Sequence, residues 1–334
     1  MSKESSHVQG LIAEVSRPLK GPVIREMSRL NERLRDTHLK QVSEPTTEAD
    51  FNTSTVIVAL KSAVSRWAES TSIPRHLNFA AQRTSFSLSA DQREKLLSPI
   101  FVVGCGHSGT SIMLKILDNH SKIFAIEGES DCFIWFGLLR KLRLFLSWNS
   151  QTLKSGAWRW AEKTPKHLWY LKDVFSYFPN AKVIIMLRDG RDVALSQSES
   201  WGDFDRCAQR WLTEYHVAKQ YESHPNVTVV RYEDLVKSPF DTLTKLFEFL
   251  GEDFEPEVIH TERVKRNWYA DGQAKPEAVN DSTHSQNRNW QINQPLTNFS
   301  NRWVTQMTAE EKKTFKEIAG PLLIELGYAQ DLDW

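Results

Sequence analysis

The sequence predicts an α/β protein in three layers: a central parallel sheet with helices on both faces, preceded by a helical N-terminal extension. Three observations carry that prediction. Short, continuous apolar runs recur at 99–103, 123–126, Lys182–Leu187 and Val227–Arg231, as expected of strands buried on both faces. Segments with helical spacing of apolar residues separate them, and strands that alternate with helices fold as βαβ units. The first run feeds a glycine-rich turn, GCGHSG, that opens directly into one of those helices.

In chain order, residues 1–95 are polar, Ser/Thr-rich and charged, and are read as the extension. Within it Val56, Leu60, Ala63, Val64 and Trp67 share one face, which predicts a helix over 54–68 that packs on the main domain. The main domain runs over 96–334. Its helices are expected at 110–119, 132–146, 166–177, 190–200, 205–222, 239–250 and 308–326. The last is signalled by Thr308 at its cap and Glu310 and Glu311 in its first turn. Pro165 suits the first turn of the helix at 166–177.

Composition narrows the function classes. The 334 residues are 40% hydrophobic and 25% charged, ordinary globular values, with a formal net charge of zero. No global field draws in nucleic acid or an anionic membrane, so an anion site must be built from local groups. Cys105, Cys132 and Cys207 are too few and too scattered for a disulfide framework or a CxxC metal site. The N-terminus lacks the apolar core of a signal peptide, and no apolar run approaches the roughly 20 residues of a membrane span. A cytoplasmic enzyme is the expectation.

Two segments carry chemistry. In FVVGCGHSGTSIM, residues 101–113, a buried strand, a tight glycine turn and a helix start present successive backbone N–H groups and the helix dipole to a phosphate. Ser108, Thr110 and Ser111 add hydroxyls. Gly104, Gly109 and Ser111 fit the nucleotide-triphosphate loop G-x-x-x-x-G-K-[ST], but Thr110 stands where that loop needs lysine, which argues against a kinase or ATPase. In AKVIIMLRDGRDVALSQS, residues 181–198, Arg188 follows a buried strand at the edge where ligands bind, and Ser196 lies two helical turns into the next helix. An arginine there can grip a phosphate, or pair with Asp189 or Asp192 and only hold the loop.

Together these segments resemble the superfamily of sulfotransferases that use 3′-phosphoadenosine 5′-phosphosulfate (PAPS), most closely its tyrosylprotein and carbohydrate branch. Gly104–Ser111 matches the 5′-phosphosulfate loop, and Arg188 with Ser196 matches the 3′-phosphate motif. Glu162-Lys163-Thr164-Pro165, Val230-Arg231-Tyr232-Glu233-Asp234-Leu235 and the loop from Trp290 to Trp303 follow in family order. The resemblance covers about 97–328 and implies a donor site of Gly106, His107, Ser108, Gly109, Thr110, Ser111, Arg188, Ser196, Tyr232, Thr297 and Arg302. It further implies a reaction that needs no metal, and adenosine 3′,5′-bisphosphate as the product. One departure stands out: His107 occupies the position where the family usually has Arg or Lys touching the sulfuryl group.

Sulfuryl transfer needs in-line attack, a stabilised leaving phosphate and a base for the acceptor proton. Lys163 is expected to stabilise the leaving oxygen and His107 to donate to the sulfuryl group. The resemblance implies Glu127 as the base, with Glu129 and His167 as rivals. The aromatic and basic stretch from Phe133 to Trp148 borders the expected acceptor side, with Trp135, Phe136, Trp201 and Trp211 as lining candidates or core. The acceptor is expected to be a small molecule, sugar or peptide rather than a nucleic acid. A catalytically silent nucleotide-binding protein is the remaining alternative, and His107 is the feature that favours it.

Overall fold

The computed structural model describes residues 89–269 and 284–334. The expected helix at 54–68 lies outside them. Five parallel strands form one sheet in the order β2-β3-β1-β4-β5: β1 (Ile100–Gly104), β2 (Ile123–Ala125), β3 (Arg159–Lys163), β4 (Lys182–Leu187) and β5 (Val227–Arg231). Alternate side chains of β1 and β4 enter separate cores. Ile100, Val102, Ile184 and Met186 pack with Leu114, Leu117 and Phe247 on one face. Phe101, Val103, Val183 and Ile185 pack with Trp160, Phe145 and Leu171 on the other. Burial on both faces explains why the strands read as continuous apolar runs.

The helices sit largely where apolar periodicity puts them. They include α1 (Ala90–Leu96), α2 (Thr110–Asp118), α3 (Cys132–Trp135), α4 (Leu138–Lys154), α5 (Leu171–Tyr177), α6 (Gly190–Trp201) and α7 (Phe204–Lys219). There follow α8 (Tyr232–Lys237), α9 (Pro239–Leu250), α10 (His284–Gln291), α11 (Trp303–Gln306) and α12 (Ala309–Glu325). Thr308 caps α12 in a reciprocal box with Glu311, so that helix starts where its cap residue predicts. The helix expected over 132–146 is instead two: the chain is extended at Phe136 and Gly137, and α4 then continues to Lys154. The segment expected as a helix over 166–177 begins as a 3-10 turn, Pro165–Tyr170, with the proline at its start, and becomes α-helical at Leu171.

β3 escaped the apolar-run criterion because its sequence is RWAEK. Its charges are nonetheless buried, and each is paired, as burial requires. Arg159 donates to the Ser98 carbonyl at 2.6 Å and the Leu250 carbonyl at 2.6 Å, and meets Glu252 at 3.2 Å. Glu162 accepts from Ser130 Oγ at 2.7 Å and Thr164 Oγ1 at 2.5 Å. Lys163 ends the strand and points its ammonium to the sheet edge where the site is built.

Among the described residues no helix is long and apolar enough to cross a membrane.

Gly104 is where β1 and β4 approach most demandingly. Its φ is 134°, and a Cβ there would lie 2.5 Å from the Met186 carbonyl oxygen, a backbone atom with nowhere to go. Gly104→Ala is expected to lower unfolding free energy by about 1–3 kcal/mol, from positive-φ strain and this clash. Urea titration would read it as a lower midpoint, and an unchanged midpoint would contradict the close approach.

Candidate active site

The strand register gathers the site. Val102 pairs with Lys163, Gly104 with Met186 and Leu187 with Arg231, so the ends of β3, β1, β4 and β5 reach one edge of the sheet. Strand order reverses beside β1, and open α/β sheets bind ligands in the crevice at such a point.

The turn after β1 is held from three sides. Ser108 folds back on it, its backbone N–H and its hydroxyl both donating to the Cys105 carbonyl, at 3.1 and 2.6 Å. Gln197 Nε2 donates to the Gly106 carbonyl at 2.7 Å, and Arg188 Nη1 to the His107 carbonyl at 3.2 Å. Gly109 follows with φ 99°, pressed so close to the Tyr232 ring that a Cβ would come within 2.9 Å of it. It begins α2 without a side-chain cap, so the first-turn N–H groups of that helix are left to other acceptors. Thr110 is buried there, and Ser111 stands half-buried beside it.

Across the turn the 188–196 segment completes a second cluster. Arg188 donates from Nη2 to the Phe299 carbonyl at 2.5 Å, stacks 4.6 Å from the Tyr232 ring centre and lies 3.7 Å from Asp192. Asp189 pairs instead with Arg191, at 2.7 Å. Ser196 Oγ is 2.8 Å from His107 Nδ1. Asp192, wholly buried, accepts the backbone N–H groups of Asn301 and Trp303 at 2.8 and 3.0 Å and so fastens the 297–303 loop. Tyr232 ties down the same loop, donating to the Thr297 carbonyl at 2.9 Å and accepting from the Phe299 N–H at 3.2 Å. Arg302, on this loop, faces Glu199 at 2.5 Å and Gln306 at 3.0 Å.

The third cluster surrounds Lys163. Its ammonium, fully buried, donates to Glu129 Oε1 at 2.5 Å and to the Tyr269 hydroxyl at 3.0 Å. Arg288 Nη1 donates to Ser111 Oγ at 3.0 Å and lies 4.0 Å from the same Glu129 oxygen. Ser111 Oγ is 2.9 Å from the Tyr269 hydroxyl, and either oxygen can be the donor. Burial pushes the Tyr269 phenol up. The positive charges of Lys163 and Arg288 and the bonds from Lys163 and Ser111 outweigh burial, and hold it below the ordinary tyrosine value. Glu129 behaves likewise: burial pushes its carboxyl up, but Lys163 first and Arg288 second bring it below the ordinary value.

The expected site residues thus fall into groups. Gly106, His107, Ser108, Gly109, Thr110 and Ser111 form the turn; Arg188 and Ser196 meet His107; Tyr232 and Thr297 meet each other; and Lys163 joins Ser111 through Tyr269. Arg302 stands apart, against Glu199. Glu127 and Glu129 are both exposed residues, but Glu127 lies within electrostatic reach of Arg266, whereas Glu129 is the carboxylate in contact with Lys163. His167 is buried, its Nδ1 3.0 Å from Glu162 and its Nε2 accepting the Phe133 N–H at 3.4 Å, so both ring nitrogens serve the strand end.

Sequence reasoning missed Tyr269 and Arg288. The signal lay in the paired amides of HSQNRNWQIN. Asn289 exchanges two hydrogen bonds with the Tyr269 backbone, at 2.9 and 3.1 Å, and Asn293 does the same to Arg266, at 2.7 and 2.8 Å. Two asparagines four residues apart, Asn289 in α10 and Asn293 just past its end, can clamp an extended segment in this way, and here they fix Tyr269 beside Arg288.

Residues 135–256 match the family model described as "Sulfotransferase family". A protein-tyrosine sulfotransferase of Drosophila melanogaster is 27% identical over 181 residues, covering 51% of this chain and 34% of that protein. Protein-tyrosine sulfotransferase A of Caenorhabditis elegans is 32% identical over 112 residues, covering 30% of this chain and 29% of that protein. The alignments thus span about a third of those relatives' length. The solved sulfotransferase domain from the curacin biosynthetic pathway is 20% identical, with a TM-score of 0.48 over 67% of this chain and 97% of that one.

The Glu129–Lys163 pair has a pH signature. Because the folded carboxyl titrates below its ordinary value of 4.5, its contribution to stability is complete above about pH 4.5 and is lost as pH falls through the lowered folded value. The difference in urea midpoint between wild type and Glu129→Gln is therefore expected to be widest near neutrality and to shrink in acid. A difference that stays constant from pH 7 down to about pH 3 would contradict the pairing.

Proposed function

We propose that the chain is a sulfotransferase and that it moves a sulfuryl group from PAPS to a hydroxyl or amine of a small-molecule, sugar or peptide acceptor. One observation carries the reading: a phosphate-type turn, the Arg188–Ser196 cluster and the buried Lys163 share one sheet edge. The residues fit the donor. The uncapped first turn of α2 and the Ser111 hydroxyl offer hydrogen bonds to its 5′ end, and Arg188 with Ser196 offers a charge-assisted pocket to its 3′-phosphate. Thr110, buried where a triphosphate loop carries its lysine, disfavours the kinase alternative.

The chemistry follows from the positions. The acceptor oxygen or nitrogen bonds to sulfur as the bond from sulfur to the bridging oxygen breaks, and adenosine 3′,5′-bisphosphate leaves. Lys163 is assigned to the charge that develops on the bridging oxygen. The acceptor proton goes to a carboxylate. Of the two candidates we assign it to Glu129, which meets Lys163, in preference to Glu127, whose electrostatic neighbour is Arg266.

Two outcomes test this assignment. Arg188→Ala is expected to weaken binding of adenosine 3′,5′-bisphosphate by about 1.5–3 kcal/mol while sparing adenosine 5′-phosphate, as calorimetry would show. Equal effects on both ligands would remove Arg188 from the 3′-phosphate site. Lys163→Ala and Glu129→Gln are each expected to cut transfer by about 10²–10³, with Glu127→Gln milder and nucleotide affinity nearly kept in all three. A large loss in Glu127→Gln alone would return the base to that residue.

A further inference from the structure

The His107 departure raises a charge question. PAPS brings negative charge on both its 5′-phosphate and its sulfuryl group, yet the turn supplies an imidazole where a permanent cation is usual. That imidazole is turned toward Ser196, at 2.8 Å, and packs edge-on to Trp201, with ring centres 5.1 Å apart. It therefore sits on the Arg188–Ser196 side of the turn, away from the Lys163 cluster.

We propose that Arg288 supplies the second permanent cation of the transfer site, and that its guanidinium bears on the transferring sulfuryl group. Three contacts carry the inference, which rests on the donor assignment above. Arg288 donates to Ser111, the hydroxyl at the mouth of the turn, at 3.0 Å. It lies 4.0 Å from Glu129, the carboxylate that Lys163 also holds. Tyr269 spans from Ser111 to Lys163, at 2.9 and 3.0 Å, and its backbone is clamped to α10 by Asn289. Arg288 thus stands where the 5′-phosphate end of the turn meets the reaction centre, the place a sulfuryl group occupies between them. The guanidinium side chain is only 13% exposed, so its charge is weakly screened.

The test compares two ligands that differ by the sulfuryl group. Calorimetry with PAPS and with adenosine 3′,5′-bisphosphate would be run on wild type, on Arg288→Gln, which removes the charge but keeps a polar reach to Ser111, and on Arg288→Lys. Thermal midpoints would be recorded for each. Arg288→Gln is expected to weaken PAPS about 10–100-fold and the bisphosphate by less than about threefold, with Arg288→Lys recovering part of the loss. Equal losses for the two ligands, or no loss for either, in variants with a wild-type midpoint would overturn the inference and leave the donor assignment standing. Should Arg288→Gln not fold, the PAPS-to-bisphosphate ratio in Arg288→Lys decides: a ratio shifted from wild type supports the role, and an unchanged ratio overturns it. Wild-type protein that binds neither nucleotide would overturn the donor assignment itself, and this inference with it.

Discussion

A fully buried ammonium at the end of a parallel strand is the constraint on which the site depends. Lys163 is carried into the interior by β3, and burying an unpaired charge costs several kcal/mol. The chain answers with Glu129 from the loop after β2 and with the Tyr269 hydroxyl from a distant segment. Those partners fix the rest. Tyr269 draws in Ser111 and so ties the turn after β1 to Lys163, and Arg288 joins from the same side. Elements far apart in sequence thus converge on one cation.

A second constraint holds the opposite side. Asp192 is wholly buried and satisfied by two backbone N–H groups of the 297–303 loop, while Arg188 and Tyr232 bind carbonyls of that same loop. Two donors of Arg188 are held by carbonyls at 3.2 and 2.5 Å, while its Nε is buried without a partner and stays available to an incoming anion. The same guanidinium thus touches the 297–303 loop and would grip a 3′-phosphate, so loop position and 3′-phosphate binding are linked on this reading.

Much of this was legible in the sequence, for physical reasons that differ by element. β4 and β5 were found at their true bounds because strands covered on both faces must be apolar throughout, and α12 because Thr308 and Glu311 form its capping box. β3 was not found: its Arg159, Glu162 and Lys163 are buried in pairs, and pairing depends on residues such as Glu252 and Glu129 that no local window contains. The break between α3 and α4 at Phe136 and Gly137 was also invisible, since apolar spacing runs across it. At the site, the turn, Arg188, Ser196 and Lys163 were recognisable as motifs, because each lies in a short contiguous segment that resembles a family pattern. Tyr269 and Arg288 were not, because their placement comes from the Asn289 and Asn293 clamps, contacts made across the fold. The choice between Glu127 and Glu129, two residues apart, likewise turns on which carboxylate reaches Lys163, a matter of loop geometry after β2.

The central claim is that this sheet edge carries out sulfuryl transfer, and its most direct test is the reaction itself. Wild-type protein would be incubated, without added magnesium, with PAPS labelled at sulfur and a panel of phenolic, sugar, amine and tyrosyl-peptide acceptors, with products read by mass spectrometry. The account predicts labelled sulfate on at least one acceptor and release of adenosine 3′,5′-bisphosphate in equal amount. Intact labelled PAPS across the whole panel, with magnesium-dependent ATP turnover by the same protein, would contradict it.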